Sequence, residues 1–357
     1  MARICFFNST KFWGGGEKWH LQAAVSMKSC GHEVWIIANL ESEIKKRAEA
    51  EQIQVFSLNV GNLSFTNVFK IQKLSAFLKK NKIDSIIMNG SADLKLGAIA
   101  ATQAGLKQLI YRRGSPTAIK KSFINKKVLT EYITHIIVNS SHTYQESFKN
   151  YSSQIPSEKV SVIYNGIETK LFGKQKNEPN KPLRICNVGR LSEEKGQMGL
   201  IKLASELNKK KLDFAIHLAG EGDLRKALES GIIENALQKN VILDGFVADI
   251  PNYLKNKDIL VVSSHWEGFG FVIIEAMASG LPVISVDIPV AHELIEQGET
   301  GFVVNNRNWE EMAEKISLLS ENGDLYQKIS TNCQKHAKLF EQKLQMDKLE
   351  QVILAGW

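Results

Sequence analysis

Two glutamates flank a glycine-bearing turn whose residue types could bind a polyhydroxylated, anionic ligand. Glu267 and Glu275 have seven residues between them, and the pattern predicts a helix over 271–279. Amides at a helix N-terminus can donate to ligand oxygens, here those of Gly268, Phe269, Gly270 and Phe271. Because a carboxylate can accept two neighbouring hydroxyl groups, we expect loop Glu267 and helical Glu275 to contact different parts of one ligand.

A second group of charged residues follows the first predicted strand of the chain's second half. Arg190 and Lys195 lie in the turn after a strand over 184–188. Cations at the carboxyl end of a strand can neutralise a diphosphate without a metal ion. An ordinary charged surface loop is the alternative here, just as a solvated helix is the alternative for Glu267 and Glu275.

Three consecutive glycines, Gly14, Gly15 and Gly16, join the predicted first strand to the first helix. Bare amides before a helix can hold an anion. The dinucleotide fingerprint and the P-loop are excluded, because their glycine spacing and the Gly-Lys-Ser/Thr ending are absent. A flexible turn is the equal alternative for this segment.

Short apolar runs alternate with amphipathic segments along the chain, which predicts parallel, doubly wound α/β sheets. Seven strands are predicted first, over 3–7, 33–38, 54–58, 85–88, 108–111, 135–138 and 160–163. Six follow, over 184–188, 214–219, 241–243, 259–262, 283–286 and 302–304. Ligands of such sheets bind beyond the carboxyl ends of the strands, which is where the candidate residues lie.

A polar segment with one glycine and two prolines interrupts the alternation and is the predicted linker, 171–182. We therefore predict an N-terminal Rossmann-like domain over 1–170 and a C-terminal one over 183–335, facing each other across a cleft. The last helical segment, 336–357, is expected to pack back towards the N-terminal domain.

The composition is that of a globular protein, with 43% apolar and 23% charged residues. No apolar run approaches the ~20 residues that a membrane span needs, and the first strand lacks the pattern of a signal peptide, so we expect a cytoplasmic protein. The four scattered cysteines predict neither disulfides nor a zinc site. The formal charge of +7 favours anionic partners.

In their types and order these segments resemble glycosyltransferase family 4, whose members share the GT-B fold and a Glu-x7-Glu signature. Glu267 and Glu275 match that signature within the wording Glu-Gly-Phe-Gly and Glu-Ala-Met-Ala-Ser-Gly-Leu-Pro-Val. The resemblance covers nearly the whole chain. It includes Asn165-Gly166-Ile167-Glu168, Gly189-Arg190 with Lys195-Gly196, Gly220-Glu221-Gly222, Gly245-Phe246, and Glu293-Leu294-Ile295 with Gly301-Phe302.

The resemblance implies a role for each matching residue. Glu275 would bind the ribose of a nucleotide, and Glu267 with the amides after it would bind the transferred sugar. Arg190 and Lys195 would contact the diphosphate. The phosphates would also be approached from the N-terminal domain by Gly15 and Gly16, and the base would be bordered by Gly220, Glu221 and Phe246.

The implied activity is transfer of a sugar from a nucleoside-diphosphate sugar, with uridine as the expected base. The acceptor would be a hydroxyl of a glycan, a lipid-linked saccharide or another cell-envelope acceptor. Such family members retain the anomeric configuration and generally use no metal, so we expect no cofactor. Arg190, Lys195 and helix amides would stabilise the leaving diphosphate, with Glu267 as the third catalytic residue.

One departure concerns a His that many family members carry near the reaction centre. Here the matching strand end has Arg112 and Arg113. These arginines either contact the donor or acceptor, or pair with carboxylates. His135, at a strand start, is expected to be structural.

Two rival functions stay open from the sequence. A sugar-nucleotide epimerase on the same fold would consume donor without an acceptor, but it needs acid/base groups that the signature does not supply. A nucleic-acid-binding protein would fit the positive charge, but the lysines are dispersed and no recognised binding motif is present. We therefore expect no nucleic-acid partner.

A basic and apolar segment over 112–128 has no nearby acidic residue. It fits an anionic membrane surface, where each basic residue contributes about 1 kcal/mol to binding. The segment therefore predicts peripheral association with the inner face of the plasma membrane. A solvated basic face is the equal alternative. The residues are Arg112, Arg113, Lys120, Lys121, Lys126 and Lys127 with Ile119, Phe123, Ile124 and Val128.

Overall fold

Two compact units make up the part of the chain that the computed structural model describes, residues 1–173 and 178–355. Unit 1 holds Met1–Asn165 together with the chain from Lys343, and unit 2 holds Gly166–Gln342. Positions 174–177 of the predicted linker and the last two positions of the predicted C-terminal helix lie outside the described residues. The predicted limits of independently folding domains stay a prediction.

Unit 1 is built on a seven-stranded parallel sheet in the order β3-β2-β1-β4-β5-β6-β7. Its strands are β1 (Arg3–Phe7), β2 (Glu33–Ala38), β3 (Gln54–Ser57), β4 (Ser85–Met88), β5 (Gln108–Arg113), β6 (His135–Val138) and β7 (Val160–Val162). Helices connect them: α1 (Gly15–Ser29), α2 (Glu43–Ala50), α3 (Val68–Lys80), α4 (Ser91–Ala104), α5 (Phe123–Lys127) and α6 (Ser141–Phe148).

Unit 2 repeats this design with a six-stranded parallel sheet in the order β10-β9-β8-β11-β12-β13. The strands are β8 (Leu183–Val188), β9 (Phe214–Ala219), β10 (Val241–Gly245), β11 (Ile259–Val262), β12 (Val283–Val286) and β13 (Gly301–Val304). Its helices are α7 (Gly199–Lys209), α8 (Arg225–Glu234), α9 (Ile250–Leu254), α10 (Phe271–Ala278), α11 (Pro289–Leu294), α12 (Trp309–Glu321) and α13 (Gly323–Ala337).

The predicted doubly wound architecture is confirmed in both units. All thirteen predicted strands are present, with ends within two residues of the predicted ones. Central strands such as β4 and β11 are buried at every position, because helices cover both faces of a parallel sheet. This burial explains why the strands read as continuous apolar runs. No helix within the described ranges is long and apolar enough to cross a bilayer.

The strand order reverses between β1 and β4 in unit 1, and between β8 and β11 in unit 2. At such a reversal the chain leaves the two neighbouring strands towards opposite faces, which opens a crevice at their carboxyl ends. The loop after β1 carries the three glycines, and the loops after β8 and β11 carry Lys195 and Glu267. The three glycines, Lys195 and Glu267 therefore lie at the two reversal points.

The last helix, α14 (Gln342–Leu354), completes the core of unit 1. Met346, Leu349 and Ile353 recur at helical spacing and pack with residues of β1, β2, α1 and α2. Helices α3 and α4 cover the opposite face of the sheet. Unit 1 thus takes one of its two apolar layers partly from the end of the chain.

We expect Leu349→Ala to lower the free energy of unfolding by about 2–5 kcal/mol, because it removes a fully buried side chain from a packed layer. Leu344→Ala, on the same helix but 38% exposed, is the control and should cost far less. Urea unfolding followed by circular dichroism measures both. Equal losses would contradict the packing of α14 as described.

Candidate functional site

A tight turn after β8 places the two candidate cations of unit 2. The Leu191 amide donates to the Glu221 carbonyl at 2.9 Å, which joins the loops that follow β8 and β9. Gly196 ends a 3₁₀ turn, Glu193–Lys195, with a left-handed φ of 63°. A Cβ at this position would collide with the Ser263 carbonyl oxygen. Glycine is therefore required where the turn meets the loop after β11.

Lys195 and Glu267 form an ion pair, with 2.7 Å between the lysine Nζ and the glutamate Oε1. The Ser264 hydroxyl donates to the same Oε1, also at 2.7 Å. The Glu267 side chain is only 11% exposed. A largely buried carboxylate needs such donors, because its desolvation would otherwise be costly. The structure thus brings together two of the predicted catalytic residues.

Arg190 lies in the same turn but has a different environment. Its side chain is about two-thirds exposed, and its guanidinium contacts the Glu194 carboxylate at 2.7 Å. Exposed ion pairs of this kind contribute about 0–1 kcal/mol to stability. A ligand can therefore bind the guanidinium in place of Glu194 at little cost in free energy. Its carbonyl accepts the Gln197 side-chain amide at 2.9 Å, which fixes the backbone.

The turn between β11 and α10 presents backbone donors beside Glu267. Gly270 is the N-cap of α10, with a left-handed φ of 77°. Within the described ranges, the amides of Gly268, Gly270 and Phe271 donate no hydrogen bond to the protein. They are available to an anionic ligand, helped by the positive end of the helix dipole. Glu275 is half-buried on α10, as the predicted helix required.

The loops after β9 and β10 lie side by side. The Gly220 amide donates to the Gly245 carbonyl at 2.7 Å, and a Cβ at Gly220 would collide with the Gly189 carbonyl oxygen. Glu221, between the glycines of this loop, pairs with Arg225 at 2.8 Å. Phe246 follows β10 with 78% of its surface exposed, so its ring is free to stack on a flat ligand.

In unit 1 the glycine loop is held against the loop after β4. Asp93 accepts the amides of Ser9 at 3.2 Å and Gly90 at 2.8 Å, and burial raises the pKa of this carboxyl to about 6. A Cβ on Gly16 would lie 3.1 Å from the Asn89 side-chain amide. The amides of Gly15 and Gly16 donate to no group in the described part of the protein.

Arg112 is buried in unit 1 and not at its surface. Its guanidinium donates to Asn165 Oδ1 at 2.9 Å and lies 4.7 Å from the centre of the Trp19 ring. Burial lowers the pKa of Arg112 to about 10, and the Glu17 charge opposes that shift. Arg113 donates to the Thr117 carbonyl at 2.6 Å. In the described ranges neither arginine forms an ion pair, so their proposed contact with donor or acceptor stays a prediction.

Two family models together match residues 13–336. The model described as Glycosyltransferase Family 4 matches 13–171, and the one described as Glycosyl transferases group 1 matches 169–336. This chain belongs to glycosyltransferase family 4. The order of the matches follows the order of the two units.

Known proteins resemble this family 4 glycosyltransferase over most of its length. An uncharacterised glycosyltransferase of Haemophilus influenzae is 25% identical over 321 residues, covering 89% of this chain and 90% of the relative. The crystal structure of Anabaena HepE with UDP has a TM-score of 0.84 at 22% identity, covering 99% of this chain and 100% of that one. The fold is therefore the GT-B fold.

The name of another relative includes a lipid-linked acceptor. It is the N-acetylgalactosamine-N,N'-diacetylbacillosaminyl-diphospho-undecaprenol 4-alpha-N-acetylgalactosaminyltransferase of Campylobacter jejuni. The two chains are 28% identical over 222 residues, which cover 61% of this chain and 60% of the relative.

Two further features of this family 4 glycosyltransferase lie apart from the predicted site. His135 contacts the Ser161 hydroxyl at 2.9 Å, and burial lowers the pKa of its imidazole. Both residues line a cavity of about 560 Å³ with Gln108 and Gln351, beside the amino ends of β5 to β7. No three His, Cys, Asp or Glu side chains within the described ranges cluster as around a metal ion.

Sequence reasoning missed Ser264 as part of the site. The only sequence signal for it is a serine three residues before Glu267. This signal is weak, because serine is common in loops. It also missed Asp93, which joins the glycine loop to the loop after β4. Both depend on contacts between segments that spacing alone does not reveal.

We expect Gly196→Ala to lower the free energy of unfolding more than Gly298→Ala. Both glycines have a left-handed φ, 63° and 77°, where alanine costs about 1–2 kcal/mol. Only Gly196 adds a collision with the Ser263 carbonyl, typically worth a further 1–3 kcal/mol, whereas the space around Gly298 is open. Urea midpoints of the two variants provide the comparison, and equal losses would refute the close approach of the two loops.

Proposed function

We propose that this protein is a retaining, metal-independent glycosyltransferase that uses a nucleoside-diphosphate sugar, with UDP as the nucleoside diphosphate. The sugar passes to a hydroxyl of a glycan or of a lipid-linked or other cell-envelope acceptor. One observation carries the proposal: the Lys195–Glu267 ion pair lies beside the amides of Gly270 and Phe271 at the N-terminus of α10, which donate to no described residue. Such a site offers a cation and backbone donors to phosphate, and a carboxylate to sugar hydroxyls.

Each residue of unit 2 takes a defined part of the donor in this proposal. The diphosphate contacts Lys195, Arg190 and the amides at the N-terminus of α10. The transferred sugar contacts Glu267 and the amides that follow it, and the ribose contacts Glu275. The base is bordered by Phe246, Gly220 and Glu221.

The proposed reaction is a displacement on one face of the sugar. The bond between the anomeric carbon and the diphosphate breaks while the acceptor oxygen bonds to the same face, and the acceptor proton passes to the leaving diphosphate. Negative charge grows on that group, so donors fixed in advance by Lys195, Arg190 and α10 lower the barrier most. No side chain serves as a nucleophile.

Two known proteins support the choice of substrates. Anabaena HepE, which has this fold, was crystallised with UDP and with UDP-glucose. The Campylobacter relative is named for an acceptor on diphospho-undecaprenol. These names favour a UDP-sugar donor and a lipid-linked or glycan acceptor.

The function is tested by incubating the protein with a panel of nucleotide sugars in EDTA, with and without polyprenyl-diphosphate saccharides or free glycans. We expect UDP release that requires an acceptor and a product with the donor's anomeric configuration by NMR. Donor consumption without any acceptor would identify an epimerase instead. Loss of activity in EDTA would reject metal independence.

We expect the two glutamates to have separable effects. Glu275→Ala should weaken UDP binding about tenfold or more, because the ribose is part of UDP. Glu267→Ala should leave the Kd of UDP within about twofold. It should raise the activation free energy of transfer by about 2–3 kcal/mol, which lowers kcat by a factor of about 30 or more. Calorimetry and steady-state kinetics measure the two quantities. Equal weakening of UDP binding would reject this division.

Exposed residues at the start of α5 support the proposed membrane surface of unit 1. Phe123, the first residue of α5, is 82% exposed, and Lys120, Lys121 and Lys126 around it are exposed. In the part of the chain that the structure describes, these lysines and Lys127 form no ion pair. Unneutralised lysines next to an exposed aromatic ring favour an anionic bilayer surface.

Three residues of the predicted surface do not belong to it. Arg112, Ile119 and Val128 are buried, so they cannot meet a bilayer. Val128 packs in the core of unit 1, and Arg112 contacts Asn165. The sequence placed them in the surface because they are near the lysines in the chain.

We expect the protein to co-sediment with vesicles that contain phosphatidylglycerol, and to bind phosphatidylcholine vesicles weakly. Replacing Lys120, Lys121, Lys126 and Lys127 with Gln should reduce binding to anionic vesicles at least tenfold, since each basic residue contributes about 1 kcal/mol. Changing Lys209, Lys210, Lys211 and Lys239 of unit 2 to Gln removes the same charge and is the control. Vesicle binding that does not depend on lipid charge would reject this membrane surface. Equal loss of vesicle binding in both variants would also reject it.

A further inference from the structure

Ser264 is a buried serine, two residues past the end of β11, and among the described residues its hydroxyl bonds to one charged group, Glu267. It donates to Glu267 Oε1 at 2.7 Å, and Lys195 Nζ contacts the same oxygen at 2.7 Å. The other carboxylate oxygen, Oε2, accepts no hydrogen bond from any described residue. The Glu267 side chain as a whole keeps 11% of its surface exposed.

The backbone around these residues is fixed by three contacts. The Ser263 hydroxyl donates to the Lys195 carbonyl at 2.8 Å, and the His265 amide donates to the Glu194 carbonyl at 2.8 Å. Gly196 packs directly against the Ser263 carbonyl. These contacts fix the segment just before Glu267 against the turn that carries Lys195.

The two donors to Glu267 differ in their freedom to move. The Lys195 ammonium ends a flexible four-carbon chain, so it can leave Glu267 without any change in the fixed backbone. The Ser264 hydroxyl is one bond from its Cβ and is held by burial. The buried serine hydroxyl therefore has less freedom to leave Glu267 than the lysine ammonium when a polyanion enters the site.

We propose that Ser264 is the positioning residue that holds Glu267 in its sugar-binding orientation after the donor diphosphate has drawn Lys195 away. The inference rests on the proposed function. With Oε1 bound to Ser264, the carboxylate cannot rotate freely, and Oε2 faces the sugar hydroxyls. Ser264 thus acts on transfer through Glu267 and does not contact the nucleotide.

The test compares Ser264→Ala with wild type, using UDP and the UDP-sugar that wild type turns over fastest. We expect kcat to fall at least tenfold while the Kd of UDP stays within twofold. Ser264→Thr, which keeps the hydroxyl, should recover most of the lost kcat. In a Glu267→Ala background, Ser264→Ala should cause no further loss, because a residue acting through another has no effect once that one is gone.

Ser285→Ala is the matched control, since Ser285 is also fully buried in unit 2 and its hydroxyl bonds only to a backbone carbonyl. The melting temperatures of both variants are compared with wild type. Near-normal kcat in Ser264→Ala, or a full additional loss in the double variant, would overturn the role of Ser264. Wild type that transfers no sugar from any donor would instead reject the proposed function.

Discussion

The close approach of two loops at the centre of unit 2 is the constraint on which the site depends. The loops follow β8 and β11, the strands between which the sheet order reverses, and they touch where Gly196 meets the Ser263 carbonyl. This contact brings the Lys195 ammonium to 2.7 Å from the Glu267 carboxylate. A larger residue at Gly196 would separate a cation and an anion that each need the other once they are removed from water.

The remaining chemistry of the site follows from the architecture of parallel sheets. Strands that are covered on both faces leave only their ends for polar chemistry, so functional groups collect on the loops at the carboxyl edge. Unit 2 adds backbone amides at the N-terminus of α10 and the exposed ring of Phe246 to this edge. Unit 1 places its glycine loop at the equivalent edge, where Asp93 accepts the amides of Ser9 and Gly90.

The sequence determined the fold class and the position of the main site residues, because both depend on local patterns. Thirteen apolar runs gave thirteen strands. The central ones are the most clearly apolar, since a strand buried on both faces must be apolar at nearly every position. Gly270 and the apolar residues after it predicted α10, which placed Glu267 in a loop and Glu275 on a helix. The Glu-x7-Glu signature, together with the glycine and charged motifs in the same order along the chain, also indicated glycosyltransferase family 4.

Only the tertiary structure decided which groups meet and which are exposed. Lys195 and Glu267 are 72 residues apart in the chain, and the serine that shares their contact has no distinguishing pattern. The same holds for Arg112, which the sequence grouped with surface lysines and the structure buries against Asn165 and Trp19. Burial and pairing arise from the packing of distant segments, and a local pattern reports only what neighbouring residues share.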